Sequence, residues 1–186
     1  MVPSREECLR LLAQYEVPEN VLQHSLIVCT VALILCRELN RRGEGLDRAK
    51  VQAAALLHDI AKMESLKTGE SHSRIGAQWL AGLGFEEVGE IVRQHVVLDD
   101  NGSADRITET QLVHYADKRV KHTKVVSLAE RFDDLKERYG RTAQHRCWLE
   151  KLEQQNLRLE AEIFGRIAIA PESLKAINGP EDPAAG

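Results

Sequence analysis

The chain has 186 residues, 43% hydrophobic and 29% charged, with 25 Lys and Arg against 29 Asp and Glu for a formal net charge of -4. That length can bury a sizeable core, and the near-even charge gives no global case for a nucleic-acid binder, so nucleic acid is not an expected partner. Aromatics make up only 4% and alternating Val/Ile/Thr/Tyr runs do not occur, so the chain reads as all-α.

The stretch from Met1 to Glu7 has no apolar signal core. The longest apolar run, Leu26 to Cys36, holds eleven residues, against about 20 for a bilayer-spanning helix, so no membrane span is expected. Cys8, Cys29, Cys36 and Cys147 form no CxxC pair and read as reduced thiols of a cytoplasmic protein.

Ser4 caps a first helix that runs through Leu9, Leu11 and Leu12 to about Tyr15, with Glu7 as its capping-box partner. Pro18 opens a second helix that reaches about Leu39 and stops at Arg41, Arg42 and Gly43. His24, Val28, Val31 and Leu35 share one face of it, so His24 points where the apolar side chains point. Asp47 caps a third helix, whose apolar run from Val51 to Leu57 delivers His58 and Asp59. Residues 64–71 read as a polar connection. A fourth helix starts near Ser71 or Ser73 and ends by Gly82, and a fifth runs from Phe85 to Val97 with His95 on it. A loop follows at 99–102. Thr108 caps a sixth helix carrying Leu112, Val113, Ala116, Asp117 and Val120, and a seventh spans Leu128 to Tyr139.

In the last long segment, 142–169, Leu149, Leu152, Asn156, Leu159 and Ile163 recur in steps of three and four. That is a short heptad seam with one polar position. Such a seam either packs back on its own domain or makes a homodimer through the C-terminal helix. The expected organisation is one helical domain over residues 1–170, with a motif core at 20–125, and a flexible tail at 171–186.

A charge delivered by a buried apolar run must be paired or bound to a metal. His58 and Asp59 pose that problem, and His24, His72, His95 and Asp117 sit on or beside other predicted helices. Imidazole with carboxylate suits a borderline divalent ion such as Mn, Fe, Ni, Co or Zn. Structural zinc sites usually recruit cysteine, and no cysteine here has ligand spacing.

These residues lie in segments that resemble the HD-domain superfamily of metal-dependent phosphohydrolases. His58, Asp59 and Lys62 look like its His-Asp-x-x-Lys segment. His72, Gly76 and Ala77 are similar to its His-x-x-x-Gly-Ala helix start. His95 closes a segment like its next histidine helix, and Tyr115 to Lys118 resembles the segment with the last metal aspartate. With His24 ahead of them, the five segments stand in the family's order. The resemblance implies a compact helical bundle with a long C-terminal helix. It places His24, His58, Asp59 and Asp117 around one metal, and His72 and His95 near a second, with Asp59 bridging. The cofactor it implies is one or two divalent ions (Fe, Mn, Co, Ni, Mg or Zn). The nearest-looking subgroup hydrolyses dinucleoside polyphosphates, which motifs do not separate from related nucleotidases and phosphodiesterases.

The expected activity is therefore hydrolysis of a small phosphorylated substrate, a nucleotide, dinucleoside polyphosphate or related phosphate ester. Two cations a few Å apart can clamp the attacking and leaving oxygens of a phosphoryl group. Asp59 and Lys62 are the expected catalytic residues, with Lys62, Arg74, Lys118 and Arg119 as phosphate contacts. The basic run from Lys118 to Lys124 has a second reading as a solvated helix face, and His72 and His95 a second reading as groups that orient water or phosphate. His114, His122 and His145 read as ordinary residues, and Asp99 and Asp100 as loop residues bordering the cleft. The competing function is a catalytically silent, metal- and nucleotide-binding regulatory module. A cyclic-dinucleotide phosphodiesterase of this superfamily would carry a Gly-Tyr-Pro segment, and a guanosine-tetraphosphate hydrolase a later Glu-Asp pair. Neither is found here.

Overall fold

Ser4 accepts a hydrogen bond from the Glu7 amide and opens α1 (Arg5–Gln14). The rest follows in a computed structural model that describes residues 1–99, 106–177 and 179. Pro18 precedes α2 (Glu19–Asn40), and Asp47 caps α3 (Arg48–Leu57) by accepting from the Ala49 and Lys50 amides. Then come α4 (Lys62–Thr68), α5 (His72–Gly82), α6 (Glu86–Gln94) and α7 (Glu109–Lys118). Capping boxes at Thr108 with Gln111 and Ser127 with Glu130 start α7 and α8 (Leu128–Tyr139). Thr142 caps α9 (Ala143–Arg166), and a 3-10 turn covers Pro171–Ala176.

The core is built on α2, whose Ile27, Val28, Val31, Ala32, Leu35 and Leu39 are buried. By length and composition alone this helix could also cross a membrane; here it packs against α3 and α7. That arrangement brings the first third of α2, the end of α3 and the end of α7 together at one place.

Three expectations need correction. Residues 64–71 are largely α4, a helix that buries none of its residues. Its helical tendency outweighed the polar composition. Between α7 and α8 lies a hairpin that the all-helical reading missed, β1 (Val120–Lys121) paired antiparallel with β2 (Lys124–Val125). Two-residue strands are too short to leave a periodic signal. The chain also stays ordered past 170: Leu174 is buried, and the Pro171 carbonyl accepts from Arg119. The rest of the expected tail, residues 178 and 180–186, lies outside the described residues, apart from Gly179.

The heptad seam is occupied within the chain. Leu149, Leu152, Asn156, Leu159 and Ile163 are all buried, and α9 packs on α7 and α8. These five residues are therefore not free to pair with a second subunit.

Helices α5 and α6 approach closely because of two glycines. A Cβ on Gly89 would stand 2.9 Å from the Ala77 carbonyl oxygen, and one on Gly76 would stand 3.3 Å from both Ile60 Cγ2 and Val92 Cγ1. This contact carries His72 toward His95. Gly89→Ala gains helix propensity of roughly 1 kcal/mol but must push a backbone carbonyl, at about 1–3 kcal/mol. We expect net destabilisation in urea unfolding.

Candidate metal centre

The chain leaves α3 through a turn, not a continued helix. Ile60 N bonds to the Leu57 carbonyl and Lys62 N to the Asp59 carbonyl, so His58 and Asp59 project from the junction of α3 and α4. His58 caps α3 and His95 caps α6, and both use one device. Each ring Nδ1–H donates to the carbonyl three residues back, His58 to Ala55 at 2.9 Å and His95 to Val92 at 2.7 Å. Such last-turn carbonyls have no donor within the helix. The bond fixes the tautomer and leaves Nε2 as a bare lone pair facing the site. His24 also anchors its Nδ1–H, on the His122 carbonyl at 2.8 Å, and turns Nε2 toward Asp117.

The Nε2 atoms converge on two carboxylates. Asp117 Oδ1 lies 3.1 Å from His24 Nε2 and 3.7 Å from His58 Nε2. Asp59 Oδ2 lies 3.7 Å from His58 Nε2, while its Oδ1 lies 3.1 Å from His72 Nε2 and 3.8 Å from His95 Nε2. Two ligand groups result, His24–His58–Asp59 and Asp59–His72–His95, each with donor atoms within 4.8 Å of one another. Asp59 belongs to both.

These residues fit divalent cations on a structural ground. His58 Nε2 is fully buried yet has no hydrogen-bond partner, and buried polar atoms are rarely left so. The charge states agree. Burial opposes ionisation of Asp59, but the facing imidazoles of His58, His72 and His95 and the Lys62 ammonium hold it well below the usual carboxylate range. Burial likewise opposes ionisation of Asp117, and Lys118, His24 and His58 hold it well below that range. Burial pushes His58 and His95 down, toward neutral imidazole. Burial would also lower His24, but its contacts with Asp117 outweigh that and raise it above 6.5.

A consequence is measurable. Metal ligands must be deprotonated, so an ion entering the His24 group displaces the proton of a raised imidazole. Affinity should fall as pH drops through the raised His24 value. Proton release on metal titration in weak buffer should be seen near neutral pH and be lost in His24→Ala.

The structure places the expected phosphate contacts differently. Lys62 stands at the rim, its Nζ 3.3 Å from Asp59 Oδ1 and its side chain 40% exposed. Arg74 is exposed on the first turn of α5. Lys118 is buried, with Nζ 2.7 Å from Asp117 Oδ2 and 3.0 Å from the His95 carbonyl. It orients and neutralises Asp117 and does not face a phosphate. Arg119 is 1% exposed and turns away from the site altogether. Its guanidinium bonds Glu160, Tyr115 and the Val126 and Pro171 carbonyls. A step of one residue at the end of α7 turns apart two side chains that a linear reading had grouped. Asp99 pairs with Arg93, and Asp100 lies outside the described residues.

Two histidines read as ordinary support the site. His122 supplies the carbonyl for His24, and His114, fully buried, donates Nδ1–H to the His95 carbonyl at 2.9 Å. Neither sits in a motif, so only the three-dimensional contact reveals them. A cavity of about 340 Å³ opens at the far end of α2, lined by Arg37, Asn40, Arg41 and Arg48 among others, and shares no residue with the two ligand groups.

Four imidazoles around two ionised carboxylates, in an all-helical setting, define a hydrolytic metal centre more readily than a structural one. The HD domain family matches residues 21–135, more than half of the chain, and the chain belongs to that family. Over 100 residues it is 37% identical to ribonuclease Y of Fervidobacterium nodosum, which is 53% of this chain but 18% of that protein. The chain thus spans under a fifth of that relative's length. A solved structure described as a predicted HD superfamily hydrolase, from an uncultured Thermotogales bacterium, shares the fold. It matches with a TM-score of 0.50 and 21% identity over 88% of this chain and 91% of that one.

Proposed function

We propose that this chain hydrolyses a nucleotide or dinucleoside polyphosphate at the centre where Asp59 joins both ligand groups. The observation that carries the reading is that shared carboxylate. Ions bound there would supply Lewis-acid charge for a phosphoryl group and lower the pKa of a coordinated water. The chain's own residues do the rest. Asp59 and Asp117 hold negative charge where the cations sit. The Nδ1–H bonds of His24, His58 and His95 hold each ring with Nε2 toward the centre, so the rings need not reorient on binding. Lys62, at the rim beside Asp59, is placed to meet the oxygens of an incoming phosphate and to stabilise a leaving group. Arg74, on the first turn of α5 two residues after His72, is the second cation we assign to phosphate.

The 37% identity to a ribonuclease over 100 residues favours a second reading, cleavage of an RNA phosphodiester. A panel separates them: dinucleoside polyphosphates, mononucleotides and short single-stranded RNA, each at matched metal. Turnover of the nucleotides, lost in both His58→Ala and Asp59→Ala, supports the first reading. RNA cleavage alone selects the second. A metal-loaded protein inert toward every phosphorylated compound would return the chain to the regulatory-module alternative.

A further inference from the structure

The β1–β2 hairpin is more than a connection. Val120 pairs with Val125 and Lys121 with Lys124, so His122 and Thr123 form a two-residue loop. His122 has φ +56, the left-handed region that hairpin loops usually give to Gly, Asn or Asp. Any residue other than glycine carries some backbone strain there, which surrounding contacts offset. Those contacts come from α8. Arg138 Nη2 donates to His122 Nε2 at 3.0 Å. Arg138 Nε lies 3.1 Å from Asp134 Oδ1, and Asp134, only 6% exposed, also takes Lys121 Nζ at 2.9 Å and Arg131 at 3.4 Å. So one buried carboxylate ties β1 to α8 and aims Arg138 at the loop. The loop's carbonyl, in turn, is the acceptor for His24 Nδ1–H.

We propose that Asp134 and Arg138 are positioning residues for His24: they hold the left-handed His122, and its carbonyl fixes which nitrogen of His24 faces the centre. The proposal rests on the metal reading of the site. It concerns one ligand group only, because His58 and His95 take their tautomers from their own helices and His72 lies on α5. It also gives Lys121 and His122, within the basic run from Lys118 to Lys124, a role that neither the phosphate-binding nor the solvated-face reading included.

Imidazole nitrogen spectra of the metal-free protein at alkaline pH read the His24 tautomer without metal or substrate. The unmodified protein should hold His24 as the Nδ1–H form, and Arg138→Gln and Asp134→Asn should give mixed tautomers. Metal titration of the same variants should show the His24–His58–Asp59 group weakened about tenfold, the lower end for loss of a group that orients a ligand, with the Asp59–His72–His95 group unmoved. Asparagine tolerates the left-handed conformation but lacks the ring, so Arg138→Gln should add nothing in a His122→Asn background. An unchanged His24 tautomer in both single variants overturns the proposal. So does equal weakening at both groups with a matching loss of thermal stability, which is what a merely structural ion-pair network would give. If the unmodified protein takes up no metal, the metal reading fails, while the tautomer spectra still decide the role of Asp134 and Arg138.

Discussion

Asp59→Ala should empty both halves of the centre at once. Asp59 Oδ1 and Oδ2 face different imidazoles, so among the described residues this side chain alone belongs to both ligand groups. Metal content per chain should fall to background, and turnover should drop by about a thousandfold, roughly 4 kcal/mol of transition-state stabilisation. The contrast is His72→Ala, which touches one group and should leave the metal at His24 and His58 in place. Equal metal loss in the two variants would mean that the groups do not load separately. The carboxylate also matters without metal. Its folded-state pKa lies well below 3.8, so its ionised form contributes stability that is fully present above the unfolded value. That contribution is lost as pH falls through the folded one. Asp117 behaves in the same sense. Acid unfolding of the metal-free protein should therefore begin below about pH 4, and Asp59→Asn should flatten it.

Arg119→Met should have the largest effect on stability and little on metal. The guanidinium is 1% exposed and links α7 to α9 and the 3-10 turn through Glu160 and the Pro171 carbonyl, 41 and 52 residues away in sequence. Its removal leaves a carboxylate that is only 20% exposed with the Tyr115 hydroxyl as its remaining donor, and two carbonyls without the guanidinium. Breaking a buried pair from one side costs about 3–5 kcal/mol. Urea unfolding should show that loss, and hydrogen exchange should place the first new opening at the end of α9. Because an apolar replacement of both partners is often tolerated, the double variant Arg119→Met with Glu160→Leu should recover part of the stability. Unchanged exchange along α9 in the single variant would show that this tie does not hold the C-terminal segment.

The sequence by itself determined the helices and the ligand candidates, because those signals are local. Ser4, Asp47 and Thr108 cap helices as their side chains predict. The face shared by His24 and Val28 is a matter of helical spacing. The family's five segments supplied the rest of the donor set. Tertiary structure alone decided what each polar group does. Lys118 and Arg119 are neighbours in one basic run, yet one holds Asp117 and the other holds α9, because successive residues of a helix point about 100° apart. The acceptor that sets the His24 tautomer lies 98 residues away on a hairpin loop. No local pattern encodes which carbonyl a ring nitrogen will find. That choice is made only when α2, the hairpin and α8 pack together.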